Sequence, residues 1–110
     1  MKFAYHPTMC PPDQYLPLAL AAEAAGFDTF TFPDSICYPK EGSDVYPYND
    51  DGTREFLDGV PFLEPFVAIP WLAAKTEKLR FTTSVVKLAI RQPVIVAKQL
   101  SSLAVMIGDR

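Results

Sequence analysis

Three short runs rich in aromatic and β-branched residues, KFAYH (residues 2–6), DTFTFP (28–33) and LRFTTSVV (79–86), are separated by long helix-forming stretches. That alternation constrains the fold more than any other feature. Strands joined by helical crossovers of this length lie parallel to their neighbours, and a parallel sheet has to be covered by helices. The expected order is therefore βαβαβα, an α/β protein.

Each helical stretch carries its own punctuation. The first, over residues 13–25, is rich in Ala and Leu, opens with prolines and with Asp13 as a cap, and closes at Gly26. Pro17 must then lie in its first turn. The second, LEPFVAIPWLAAKTEK, places Pro65 at its start and Glu64 near the positive end of the helix dipole, with Lys75 and Lys78 near the negative end and Pro70 as a kink. The third starts at Pro93 and runs to the glycine of IGDR.

Two architectures share this order: an open doubly wound sheet and part of a βα barrel. A dinucleotide-binding open sheet runs its first strand into a glycine-rich turn, but here the strand runs into HPTMCPP, which has no glycine. The barrel is favoured. A complete barrel needs about 250 residues, and this chain has 110. The expectation is thus the first three βα units of a (β/α)8 TIM barrel, incomplete, with residues 1–110 as the N-terminal fragment of one domain. Its outer strand edges would be unpaired, so the rest of the barrel or a partner is expected to cover them.

A net charge of −3 leaves no electrostatic footprint for nucleic acid. Cys10 and Cys37 are far apart and lack the spacing of a metal site, so two reduced thiols and no metal are expected. No apolar run has the length of a signal peptide or a membrane span, and the chain is read as cytoplasmic.

The long segment from residue 35 to residue 62 joins the second strand to the second helix and contains Tyr38, Tyr46 and Tyr48. Loops of this length are functional or disordered, and its aromatics argue against plain disorder. In a βα barrel it would rise from the C-terminal face, where active sites are built. The segment FTTSVVKLAIRQP (81–93) raises a related point, because the strand turns polar and then cationic where a core strand would stay apolar. Lys87 is suited to meet an anionic part of a cofactor or substrate, or to extend into solvent. Arg91 is expected to tie down the turn before the third helix.

The runs AAEAAGFDTFTFPDS, FLEPFVAIPWLAAKTEKLRF and TTSVVKLAIRQPVIVAKQLSSLAVMIGDR together resemble the N-terminal part of the luciferase-like monooxygenase superfamily, especially its deazaflavin-dependent branch. The resemblance implies a barrel that binds FMN or the deazaflavin coenzyme F420 at the C-terminal ends of its strands. It also implies a non-prolyl cis peptide at Ser84 and Val85 under one face of the ring, and cofactor contacts from Asp34, Ser35, Thr83, Ser84 and Val85. Relatives often have Asp followed by His at the end of the second strand. Here the pair is Asp34 and Ser35, and a hydroxyl cannot replace imidazole as a proton donor near neutral pH. His6, the only histidine, ends the first strand and by position is the candidate to take that role beside Asp34.

Three functions follow from the resemblance. The first is a flavin- or deazaflavin-dependent oxidoreductase moving a hydride between cofactor and a small organic substrate. The second is a reduced-FMN monooxygenase using dioxygen, and the third a truncated, non-catalytic dimerisation module. Phosphate-binding groups in such barrels often follow strands seven and eight, so the segment alone is expected to be inactive and to bind cofactor weakly or not at all. In relatives the second and third helices form a homodimer interface, which here points to Ala68, Ala73 and Ala74 on one helix and Val94, Ala97 and Ala104 on the other.

Overall fold

The computed structural model describes residues 1–42 and 45–110. Residues 43 and 44 of the long loop lie outside the described residues. Three strands, β1 (Ala4–Tyr5), β2 (Thr29–Phe32) and β3 (Arg80–Thr83), alternate with three helices, α1 (Tyr15–Ala24), α2 (Pro65–Ala73) and α3 (Pro93–Ile107). Short 3-10 turns sit at Pro12–Gln14, Glu55–Leu57 and Leu88–Ile90.

The sheet has the order β1-β2-β3 and is parallel throughout. Tyr5 is registered with Phe30, Phe30 with Phe81, and Phe32 with Thr83. Because side chains alternate along a strand, these residues share one face. On it Phe30 and Phe32 are fully buried with Tyr15 and Ala19 of α1 and Ile69 and Leu72 of α2. Tyr15 stacks on Phe32 with ring centroids 5.3 Å apart. The opposite face is more open: Thr31 is buried, but Ala4 and Thr82 are exposed. Helices α1 and α2 thus cover the same face of consecutive strands. That is how a barrel arc is covered, whereas a doubly wound sheet takes helices on both faces. The described residues form this arc and no closed barrel.

Strand β1 is shorter than expected because the Phe3 amide donates to the Asp28 carboxylate (2.8 Å) and not to a ladder carbonyl. Strand β3 ends three residues early for a related reason. Ser84 still donates to the Phe32 carbonyl (2.9 Å). Beyond it, the Lys87 amide goes to the Asp34 side chain and the Lys87 carbonyl to Arg91.

At the start of α1, Asp13 is not the cap. The chain enters the helix from the Pro12–Gln14 turn, which already uses the Gln14 and Tyr15 amides, and no side chain caps the helix. Pro17 does lie in the first turn, and Gly26 follows the helix at φ +81°. There the Phe27 amide bonds the Ala22 carbonyl (2.9 Å) and the Gly26 amide the Glu23 carbonyl (3.1 Å), the paired bonds of a Schellman ending.

Helix α2 starts as expected, with Pro65 in its first turn and Glu64 accepting from the Val67 amide (2.9 Å). It ends at Ala73, so Lys75 and Lys78 lie beyond its last turn. Arg110 serves its C-terminal end, donating to the carbonyls of Ala73 and Thr76, each at 2.9 Å. Beside it the Glu23 carboxylate gathers the amides of Glu77, Lys78 and Leu79 at the entry to β3. Burial pushes the Glu23 carboxyl up, but those three amides and the Arg110 charge outweigh it and hold the pKa below the usual value.

Candidate functional site

The C-terminal ends of β2 and β3 are joined by a network centred on Asp34. Its side chain is almost fully buried, and Arg91 grips both oxygens, from Nη1 to Oδ2 at 2.7 Å and from Nη2 to Oδ1 at 3.1 Å. The Lys87 amide adds a third bond to Oδ2 at 2.8 Å. Arg91 reaches on to Glu64 (3.0 Å) and to the Lys87 carbonyl (2.9 Å), and lies over the ring of Phe66 at 5.4 Å. The Lys87 ammonium donates to the backbone carbonyl of Asp34. The end of β2, the exit from β3 and the first turn of α2 are thereby held as one unit.

These contacts set the charge states. The Arg91 hydrogen bonds hold the Asp34 carboxyl below the usual carboxylate range against the opposing effect of burial, with help from the Lys87 amide and from both cationic charges. Asp34 in turn pushes the Arg91 guanidinium further up, and Glu64 adds to that. A carboxylate in this setting is ionised at neutral pH and spends its acceptors on the protein. It is suited to holding the site's backbone, and it has no proton to give.

Just before this network, Ser84 and Val85 are exposed and the peptide between them is cis. Val85 presents 70% of its surface to solvent. Thr83 lies on the other side of the strand from Ser84. Its register opposite Phe32 puts it on the helix-covered face, where it lines a cleft with Phe66, Val96 and Leu103. The two-residue period of the strand thus separates Thr83 from Ser84.

A cavity of about 490 Å³ lies between the β2–α2 loop and Lys87, lined by Ser35, Tyr38, Tyr46, Arg54 and Phe62 among others. The loop that walls it has structure of its own. The ring of Tyr46 meets those of Tyr48 (5.5 Å) and Phe56 (5.3 Å). The Tyr46 amide donates to the Gly52 carbonyl at 2.8 Å, and Asp51 accepts from the Thr53 amide at 2.9 Å. Gly52 is required at this turn, with φ +67° and a hypothetical Cβ only 2.4 Å from Val45 Cγ1.

His6 lies one residue beyond β1, exposed, and its imidazole has no hydrogen-bond partner among the described residues. It does not line the cavity. The structure therefore brings together Asp34, Ser35, Lys87 and Arg91, and leaves His6 apart from them. Arg54 and Glu64 were not singled out as site residues by sequence reasoning, whereas Tyr38 and Tyr46 belong to the loop expected to rise from the active face. The partners of Asp34 lie more than fifty positions away, so no local pattern announces them. Among the described residues no group of His, Cys, Asp and Glu is arranged to hold a metal, and no helix is long and apolar enough to cross a membrane.

The sequence profile of the luciferase-like monooxygenase family matches residues 3–110. The chain belongs to that family. Uncharacterized proteins of Mycobacterium tuberculosis (strains H37Rv and CDC 1551) and of Mycobacterium bovis are each 54% identical to it over all 110 residues. The match covers 38% of each of those proteins, so this luciferase-like chain corresponds to the N-terminal portion of longer relatives.

Proposed function

We propose that this chain is the N-terminal part of a flavin- or deazaflavin-dependent oxidoreductase that moves a hydride between its cofactor and a small organic substrate. The observation that carries this reading is the exposed Ser84–Val85 segment at the end of β3, which leads into Lys87, a cavity residue whose amide is held by the Asp34 carboxylate. The residues there fit a planar ring: a small hydroxyl side chain and an exposed branched apolar one. They do not supply a phosphate cradle, which fits a cofactor whose phosphate is held elsewhere in a chain of the relatives' length.

FMN or coenzyme F420, when bound, would supply the hydride chemistry. The chain's own residues position and enclose. Ser84 and Val85 support one side of the ring, Asp34 and Arg91 fix the backbone that carries them, and Ser35 with the tyrosine-lined loop shapes the substrate space. His6, the chain's one imidazole, lies at this end of the sheet but outside that space, and we assign it no proton exchange with a substrate held there.

Titrating the complete polypeptide that carries residues 1–110 with FMN and with coenzyme F420 tests the reading. Saturable, one-to-one binding of either cofactor is expected, and binding of neither ends the proposal. Consumption of dioxygen with reduced FMN would move the assignment to the monooxygenase alternative.

A homodimer through α2 and α3 is the second reading, supported by the exposure of Ala74, Val94 and Ala97 among the residues first singled out and of larger apolar side chains beside them. Ala68 and Ala73 are buried in the core and are not available to a partner. Instead Val67 and Trp71 on α2 and Val94, Ile95, Val105 and Met106 on α3 are exposed, and only Val96 of α3 is buried. Val94→Glu combined with Val105→Glu is expected to weaken self-association by about tenfold or more, read by sedimentation equilibrium. A monomeric parent protein would dismiss this reading.

A further inference from the structure

We propose that the cavity under the β2–α2 loop takes a small carboxylate substrate, with Lys87 receiving the carboxylate and the loop's aromatic and aliphatic side chains holding the apolar body. The identification of this ligand as substrate rests on the oxidoreductase reading above. The cavity itself does not.

Charge and geometry both support the assignment. The chain as a whole is acidic, with net charge −3. The described residues lining this cavity nevertheless include no carboxylate, and Lys87 is the cation there on which the assignment rests, Arg54 being already engaged. The rest of the wall is largely apolar or aromatic, including Tyr38, Tyr46, Leu57 and Phe62. A volume of about 490 Å³ falls in the range of small-molecule sites.

Lys87 is placed to act on a ligand. Its ammonium is steered by one hydrogen bond to the Asp34 carbonyl, and an ammonium has three donors. Among the described residues no carboxylate forms an ion pair with it, since the oxygens of Asp34 are taken by Arg91 and by the Lys87 amide. A cation held at the wall of a largely apolar cavity attracts an anionic oxygen more strongly than the same cation in bulk water.

The test uses 2-naphthoate and its neutral isostere 2-naphthamide as probes, with the complete polypeptide in the absence of cofactor, read by equilibrium dialysis. Naphthoate is expected to bind about tenfold tighter than the amide. Lys87→Gln should bring the two affinities level, Lys87→Arg should keep the preference, and Tyr38→Ala should weaken both probes alike. Equal affinities in the parent protein, a preference that survives Lys87→Gln, or no naphthoate binding at millimolar concentration would each overturn the proposal. A naphthoate preference without FMN or F420 binding would sink the oxidoreductase reading and, with it, the assignment of the ligand as substrate, and leave the carboxylate site standing. Cofactor binding without the preference would do the reverse.

Discussion

Asp34 shows how a residue legible in the sequence can acquire a different task in the fold. Its place at the end of the second strand marks it as a site residue, yet its carboxylate is consumed by Arg91 and the Lys87 amide. Removing one member of a buried pair leaves the other charge uncompensated. Since Arg91 retains Glu64, Asp34→Asn is expected to cost about 3 kcal/mol, the lower end for such a loss, measured by urea denaturation. The pH dependence follows from the direction of the shifts. Asp34 and Glu23 both have lowered pKa values in the folded protein, so their stabilisation is complete above the ordinary carboxylate pKa and is lost as pH falls through the folded values. Stability should therefore be level from pH 7 to about pH 5 and decline below about pH 4, and Asp34→Asn should flatten that decline. The expectation that Arg91 ties down the turn before the third helix agrees with the structure, because a cation just before a helix-starting proline is a local feature. Its grip on Asp34 depends on the chain returning to the same sheet end, which no local window encodes.

Among the elements, starts were more legible than ends. Prolines fix the beginnings of α2 and α3, and Gly26 fixes the end of α1, because each residue type acts on its own backbone. The ends of β3 and α2 were misjudged because side chains distant in sequence, Asp34 and Arg110, take over the backbone groups there. Gly26 allows a clean test of the local part. A Cβ at this position meets nothing within 4 Å, so Gly26→Ala should cost only the conformational penalty of the left-handed region, about 1 kcal/mol. A loss several-fold larger in thermal unfolding would show that the ending does more than turn the chain. Glu23→Gln, at the opposite end of the sheet from the candidate site, should lower stability by about 1 kcal/mol and leave probe and cofactor affinities unchanged.

Across the whole molecule, the parallel order β1-β2-β3 with α1 and α2 on one face follows from alternation and crossover length, and both were readable from the sequence. The cavity was not, because its wall is an irregular loop whose shape depends on contacts such as those of Tyr46 with Phe56 and with the Gly52 carbonyl. The account depends on the exposed Ser84–Val85 segment at the end of β3 being a seat for a redox ring. The most direct measurement is a fluorescence titration of the complete polypeptide with FMN and with coenzyme F420, repeated on Val85→Asp. The account predicts one-to-one binding of one cofactor in the parent protein and a loss of about tenfold or more in affinity in the variant, with unfolding behaviour unchanged at the exposed site. Equal affinity in parent and variant would contradict it.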